Sequence, residues 1–205
     1  LTVLSWPLIN AGLGRAAAPE QSLAAWPVVL SLLWLFTSPL QMLQQMAIAL
    51  MGDASSLRAV RRFALGLGAV ASGLLGIATL TPLLQVFLLG VLGVPAEMAS
   101  LVVSSGRLLA PLPFLTAAQA FYQAVLICRH RTAAVRTATG VNLLIMSGVL
   151  VVGIRQGAVP GSLLAATAMT IGSLAEVGWL QWQASRDIHR FQDNCSPPDL
   201  NKAIP

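Results

Sequence analysis

Two long stretches of this chain carry no formal charge. Residues 21–52 form one run of 32 uncharged residues, and residues 63–96 form a second run of 34. A helix that crosses the hydrocarbon of a bilayer needs about 20 apolar residues, each rising about 1.5 Å. A soluble domain of 205 residues has no need of such runs. The pattern therefore predicts an all-α fold, a polytopic transmembrane helix bundle.

Charges and turn residues divide the chain into six apolar segments and a polar tail. The segments cover residues 1–13, 21–51, 63–91, 98–128, 137–153 and 162–184. The first is too short to span a bilayer by itself, as expected for a processed product or for a fragment with an incomplete first helix. We expect residues 1–185 to form a single transmembrane lobe and residues 186–205 to form a polar, disordered cytoplasmic tail.

Prolines predict where helices begin and where they are interrupted. Thr81-Pro82 should break or bend the third segment, because proline lacks a backbone N–H and its ring clashes with the preceding turn. Pro111 and Pro113 lie inside the fourth segment, and Pro19 suits the start of the second.

Arginines are distributed unevenly between the two sides that successive loops must occupy. Eight lie on one side and two or three on the other, depending on whether Arg107 reaches the surface. Because cytoplasmic loops carry an excess of Lys and Arg, we place the loops 53–62 and 129–136 and the tail in the cytoplasm. The expected location is a bacterial-type inner or plasma membrane.

The composition agrees with a membrane protein. Hydrophobic residues make up 56% of the chain and charged residues 9%, whereas soluble domains carry about 25% charged residues. The formal net charge of +5 could suggest a nucleic-acid partner. However, most of the basic residues stand at the ends of apolar segments, which is typical of a topology signal. We therefore expect membrane lipid, and no nucleic acid, as a partner.

Four motifs stand in order along the chain. They are Pro7-Leu-Ile-Asn10, Arg107-Leu-Leu-Ala-Pro111-Leu-Pro113-Phe114, Arg131-Thr-Ala-Ala-Val-Arg136 leading into Val141-Asn142, and Gly157-Ala-Val-Pro-Gly161-Ser-Leu-Leu-Ala165, followed by Glu176. Together they resemble one six-helix lobe of the multidrug/oligosaccharidyl-lipid/polysaccharide exporter superfamily, which includes the multidrug and toxic compound extrusion (MATE) transporters. The closest likeness is to the branch that contains the progressive ankylosis protein, and it covers about residues 5–185.

The resemblance implies a transport mechanism. Such transporters have two six-helix lobes related by an axis along the membrane normal, and the substrate lies in the cleft between the rocking lobes. This chain offers one lobe, so it would pair with itself, pair with a second half, form part of a longer protein, or do something other than transport. Proton-coupled MATE members keep an acid in their first helix, and segment one here has none, so that coupling scheme does not carry over.

Two ionisable residues inside apolar segments are the first candidates for the cleft. Glu176 would cost about 2.5–3.5 kcal/mol if isolated at a helix centre, so it should face protein or water. It is either a proton or cation coupling site or a structural acid bonded to a neighbouring helix. Arg107 either attracts an anion in the cleft or snorkels to the headgroups. The progressive ankylosis branch is associated with export of anions such as pyrophosphate, ATP or citrate.

Amide side chains supply the remaining candidates. Glutamines at helical spacing form one face in each of two segments, where they either line a polar cleft or hydrogen-bond to a neighbouring helix. For Gln41, Gln44 and Gln45 we favour the cleft. For Gln119 and Gln123 we favour packing between helices. For the single amides Asn10 and Asn142 we favour an interhelical hydrogen bond.

The sequence predicts no enzyme, no cofactor and no metal site, because no nucleophile elbow, P-loop or zinc-protease motif is present. Two functions remain open. The first is a half-transporter lobe exporting a small, anionic or lipid-linked solute by alternating access. The alternative is a non-transporting accessory subunit of a larger membrane complex.

Overall fold

A computed structural model of the chain describes the backbone of residues 5–16, 19–50, 54–157 and 159–194, and side chains within 7–16, 19–50, 57–157 and 159–185. These residues form nine α-helices. The helices are α1 (Ser5–Leu13), α2 (Pro19–Gln41), α3 (Leu43–Leu50), α4 (Ala54–Leu80), α5 (Pro82–Gly90), α6 (Ala96–Leu109), α7 (Leu112–Cys128), α8 (Thr132–Gln156) and α9 (Gly161–Asn194).

The helices give five stretches in the described residues that are long and apolar enough to cross a membrane. They are Pro19–Leu50, Leu57–Leu80, Ala96–Cys128, Thr132–Gln156 and Gly161–Ser185. The chain is therefore an all-α polytopic membrane helix bundle. The first segment supplies only the nine residues of α1, and its residues 1–4 lie outside the described part.

Several helices begin or end beyond the predicted apolar limits. Because α4 begins at Ala54, the cluster Arg58, Arg61 and Arg62 lies in the first turns of a helix and not in a loop. In the same way, α8 extends to include Arg136 and Arg155. The reason is that a helix continues through the headgroup region, where arginine is well solvated, so hydrophobicity marks the hydrocarbon and not the helix end.

The predicted tail falls partly inside the described residues. The backbone of α9 continues as helix through Asn194, so residues 186–194 extend the last helix beyond the span that ends at Ser185. Residues 195–205 lie outside the described part of the chain.

The break predicted at Thr81-Pro82 is confirmed, and a second break falls beside Pro111. The third segment divides between α4 and α5 at Thr81, and the fourth divides between α6 and α7. Neighbouring helices satisfy the backbone groups that these breaks leave free. The Thr170 hydroxyl donates to the Leu108 carbonyl at 3.0 Å, and the Phe114 N–H donates to Ser72 Oγ at 2.8 Å. Such bonds are what allow broken helices at membrane depth.

The bundle has two distinguishable ends. At one, which we call the arginine-poor end, Gln21 near the start of α2 donates to Glu97 near the start of α6 at 3.3 Å. Gly161 at the start of α9 packs there as well, where a methyl group would come within 3.2 Å of the Ser22 Cβ. The opposite, arginine-rich end carries the first turns of α4 and the α7–α8 turn. Each half of the bundle has its own apolar core cluster.

Removing the Ser72 hydroxyl tests the bond across the α6–α7 break. We expect Ser72→Ala to lower the free energy of unfolding by about 1–2 kcal/mol, because the Phe114 N–H then loses its partner inside the bundle. The measurement is SDS-titrated unfolding in maltoside micelles, followed by tryptophan fluorescence. Ser147→Ala is the matched control, since within the described residues the Ser147 hydroxyl bonds to the Leu143 carbonyl of its own helix and to no other helix. Equal effects in the two variants would contradict the prediction.

Candidate functional site

A cavity of about 560 Å³ opens between the two core clusters and is lined by six of the helices. Its walls combine apolar side chains with amides, hydroxyls and one carboxylate. The lining residues are Ile9, Leu40, Gln41, Gln44, Leu112, Thr116, Gln119, Ala120, Gln123, Thr139, Asn142, Leu143, Met146, Met169, Ser173 and Glu176. In this set from the described part of the chain, Glu176 is the only side chain that ionises in the ordinary pH range.

Glu176 is held by side chains of two neighbouring helices. From α7, Gln119 Nε2 donates to Oε2 at 3.0 Å and Gln123 Nε2 donates to Oε1 at 3.4 Å. From α8, Asn142 Nδ2 donates to Oε2 at 2.6 Å and the Thr139 hydroxyl lies 3.5 Å from Oε1. The Glu176 residue is only 5% exposed, yet every partner is a neutral donor. The arrangement therefore stabilises a carboxylate without cancelling its charge.

A glycine allows α8 to come close enough to α9 for this contact. A methyl group on Gly172 would collide with Asn142 Oδ1 and lie 3.3 Å from the Asn142 backbone oxygen. Gly172 stands one turn before Glu176 on α9. Because glycine has no side chain, Asn142 can lie directly beside the carboxylate. Small residues allow the same close approach between other packed membrane helices.

The cavity changes character along the bundle axis. Along α7, Leu112 comes before Gln119 and Gln123, whereas along α8, Thr139 comes before Met146. Because α7 runs toward the arginine-rich end and α8 runs away from it, the polar groups gather on that side of the cavity. The apolar wall lies nearer the middle of the bundle, so the site is shaped for an amphipathic occupant.

Most of the predicted cleft residues line this cavity. Gln41 and Gln44 do so, and Gln45, on the same predicted face, is exposed outside it. Gln119 and Gln123, for which packing was favoured, both line the cavity and bond across helices.

The single amides and the arginine have different positions. The interhelical bond predicted for Asn142 is confirmed by its contact with Glu176. Asn10 is exposed beside the lining residue Ile9 and is not itself part of the wall. Arg107 also lies outside the cavity, where its Nε donates to the Thr79 carbonyl at 3.1 Å.

Sequence reasoning missed the hydroxyl groups of the wall. Thr139 stands three residues before Asn142, and Ser173 stands three residues before Glu176. Thr116 has the same relation to Gln119. Residues three apart share a helix face. A search for hydroxyl residues three positions before each predicted polar residue would therefore have found Thr116, Thr139 and Ser173.

In the described ranges, no group of three or more His, Cys, Asp or Glu side chains could hold a metal ion. Comparisons with protein-family profiles, with curated proteins and with solved structures found no match to this chain.

Proposed function

We propose that this chain is one lobe of a MATE-like secondary transporter, working with a second copy or a second half, and that Glu176 takes up and releases the coupling proton or cation. The observation that supports this most is the contact set of Glu176: a carboxylate deep in a membrane span, bonded only to neutral donors and open to a cavity. Intramembrane ionisable groups in such settings commonly mark ion or proton pathways.

The charge of the cavity favours a cationic or neutral solute over an anionic one. Glu176 gives the site a negative charge, and the anion interpretation depended on Arg107, which does not line the wall. The apolar side chains toward the middle of the bundle would hold the hydrophobic part of such a solute. Pockets of this mixed kind use a few polar groups for orientation and an apolar wall for contact area.

The test is flux in proteoliposomes, with the organic cation ethidium as the probe and an imposed pH or Na⁺ gradient as the driving force. Glu176→Gln keeps the shape of the side chain and removes its charge. The oxygen that faces Gln123 and Thr139 becomes an amide NH2, which the Thr139 hydroxyl and a rotated Gln123 amide can accept. We expect the substitution to abolish the dependence of ethidium flux on the gradient while the protein keeps its unfolding midpoint. Unchanged gradient-driven flux in this variant would remove Glu176 from the mechanism.

Two neighbouring glutamines provide the control. Gln44→Ala alters the cavity wall and should reduce flux, whereas Gln45→Ala alters an exposed side chain outside it and should leave flux unchanged. Equal losses in both variants would point to general damage and not to a cleft.

The accessory-subunit function is favoured by one observation, namely that protein donors reach both oxygens of Glu176. A purely structural acid would look the same. Such a subunit would co-purify in fixed ratio with other membrane proteins, and its wild-type form would show no gradient-driven flux. The native mass of the particle in mild detergent therefore separates the two functions.

A further inference from the structure

Arg107 is not part of the cavity, and its surroundings point to a different ligand. The side chain is exposed on the outside of the bundle, and its Nε donates to the Thr79 carbonyl near the end of α4. Among the described residues, this carbonyl is the only partner of the guanidinium group. The two terminal nitrogens are left to bind something beyond the lobe.

A residue count along α6 and a contact with α9 together give the depth of Arg107. It lies ten residues beyond Glu97 in α6, about 15 Å from the arginine-poor end. The adjacent Leu108 carbonyl accepts a hydrogen bond from the hydroxyl of Thr170. Thr170 lies nine residues into α9, about 14 Å from the same end. A hydrocarbon layer about 30 Å thick therefore reaches past this level, and the charge lies within the apolar thickness of the membrane.

The surface around Arg107 joins apolar and polar features. Leu80 and Leu108, the chain neighbours of Thr79 and Arg107, are 70% and 37% exposed. In contrast, Ser100 and Ser104 stand seven and three residues before Arg107 on the same face of α6. These hydroxyls form a polar path from the arginine-poor end down to the guanidinium group, beside lipid-facing leucines.

A second copy of this chain does not offer an anion at this depth. In the part of the chain with described side chains, the carboxylates are Glu20 and Glu97 near the arginine-poor end and the buried Glu176. Glu176 lies six residues beyond Thr170, about 9 Å further toward the arginine-rich end. The other four acids of the sequence precede α4 or follow Ser185. A partner lobe related by an axis along the membrane normal keeps these depths.

We propose that Arg107 holds the phosphate of a membrane phospholipid, drawn down along the Ser100–Ser104 face while its acyl chains pack on the exposed leucines. The guanidinium fork suits this role, because Nε stays on the Thr79 carbonyl while both terminal nitrogens face the phosphate oxygens. Because side chains on a helix tilt toward its N-terminus, the guanidinium group of Arg107 also lies closer to the start of α6 and so to the headgroups.

The test measures lipid-dependent stabilisation of the delipidated protein in maltoside micelles. The added probes are phosphatidylcholine, the matched diacylglycerol without a phosphate, and inorganic phosphate. We expect phosphatidylcholine to raise the unfolding midpoint of the wild type, and diacylglycerol and inorganic phosphate to have little effect. In Arg107→Gln, half-saturation should need about tenfold more phosphatidylcholine, as expected for loss of a charge-assisted hydrogen bond.

The controls separate this site from general basic attraction. Arg155→Gln removes an exposed arginine at the end of α8 and should keep the full response to phosphatidylcholine. If Arg107→Gln does not fold, Arg107→Lys replaces it, and the lysine, which lacks the fork, should weaken the response severalfold. An unchanged response at position 107, equal loss in Arg155→Gln, or equal protection by inorganic phosphate would each overturn the proposal.

Discussion

Replacing Gly172 by alanine is expected to displace Asn142 from Glu176 and to destabilise the bundle by about 1–3 kcal/mol, the usual cost of overpacking. The added methyl would overlap Asn142 Oδ1, so the amide must rotate away from the carboxylate. Rotation alone does not relieve the strain, because the methyl also lies 3.3 Å from the Asn142 backbone oxygen, which moves only with α8. The effect should appear both in SDS-titrated unfolding and in gradient-driven ethidium flux.

A second glycine of the same helix is the control for this prediction. Gly178 has nothing within 4 Å of an added methyl, so Gly178→Ala should be neutral or stabilising by up to about 1 kcal/mol. A double-mutant cycle adds a sharper test. If Gly172 acts by seating Asn142, its substitution in an Asn142→Ala background should cost clearly less than in the wild type. Additive losses would show that Gly172 serves packing alone.

Replacing Gly68 by alanine is expected to separate α4 from α7 and to cost about 1–3 kcal/mol of stability. An added methyl would lie 2.6 Å from the Ala117 Cβ and 3.2 Å from the Phe114 Cα. These atoms belong to short or backbone groups, which cannot move aside as a long flexible side chain can. The nearby bond from Phe114 N–H to Ser72 would lengthen as the helices part.

Gly66 is the matched control for Gly68, since it lies on the same helix and an added methyl there would have nothing within 4 Å. Gly66→Ala should therefore leave the unfolding midpoint unchanged or raise it. The difference between the two alanine variants, and not either value alone, measures the close contact of α4 with α7. A difference near zero would contradict it.

The helical type of the chain and the approximate places of its five membrane-length stretches could be predicted, because hydrocarbon imposes a simple rule on the chain. A segment that spans must be apolar, and a proline such as Pro82 must interrupt its ladder of hydrogen bonds. Helix ends were less predictable. Arg61 and Arg136 interrupt the apolar pattern but not the helix, because arginine in a headgroup region is compatible with helical backbone.

The site could be predicted only in part, because it depends on the rotation of each helix. Polarity singled out Glu176 and the glutamines, and their meeting point needed the tertiary structure. For Arg107 the sequence left both the cleft and the headgroups open, since its charge and position in the segment do not reveal which way α6 turns. In the sequence, Gly172 could be recognised only as a packing residue. Its importance follows from its close contact with Asn142 on α8.

The donors that hold Glu176 also bear on how the protein is made. Gln119, Gln123, Thr139 and Asn142 all precede Glu176 in the chain. During synthesis, α7 and α8 are therefore already available when α9, with its costly carboxylate, leaves the ribosome. The last span can then enter the membrane against a ready hydrogen-bonding surface, so the order of the chain is itself part of how a buried charge comes to be tolerated.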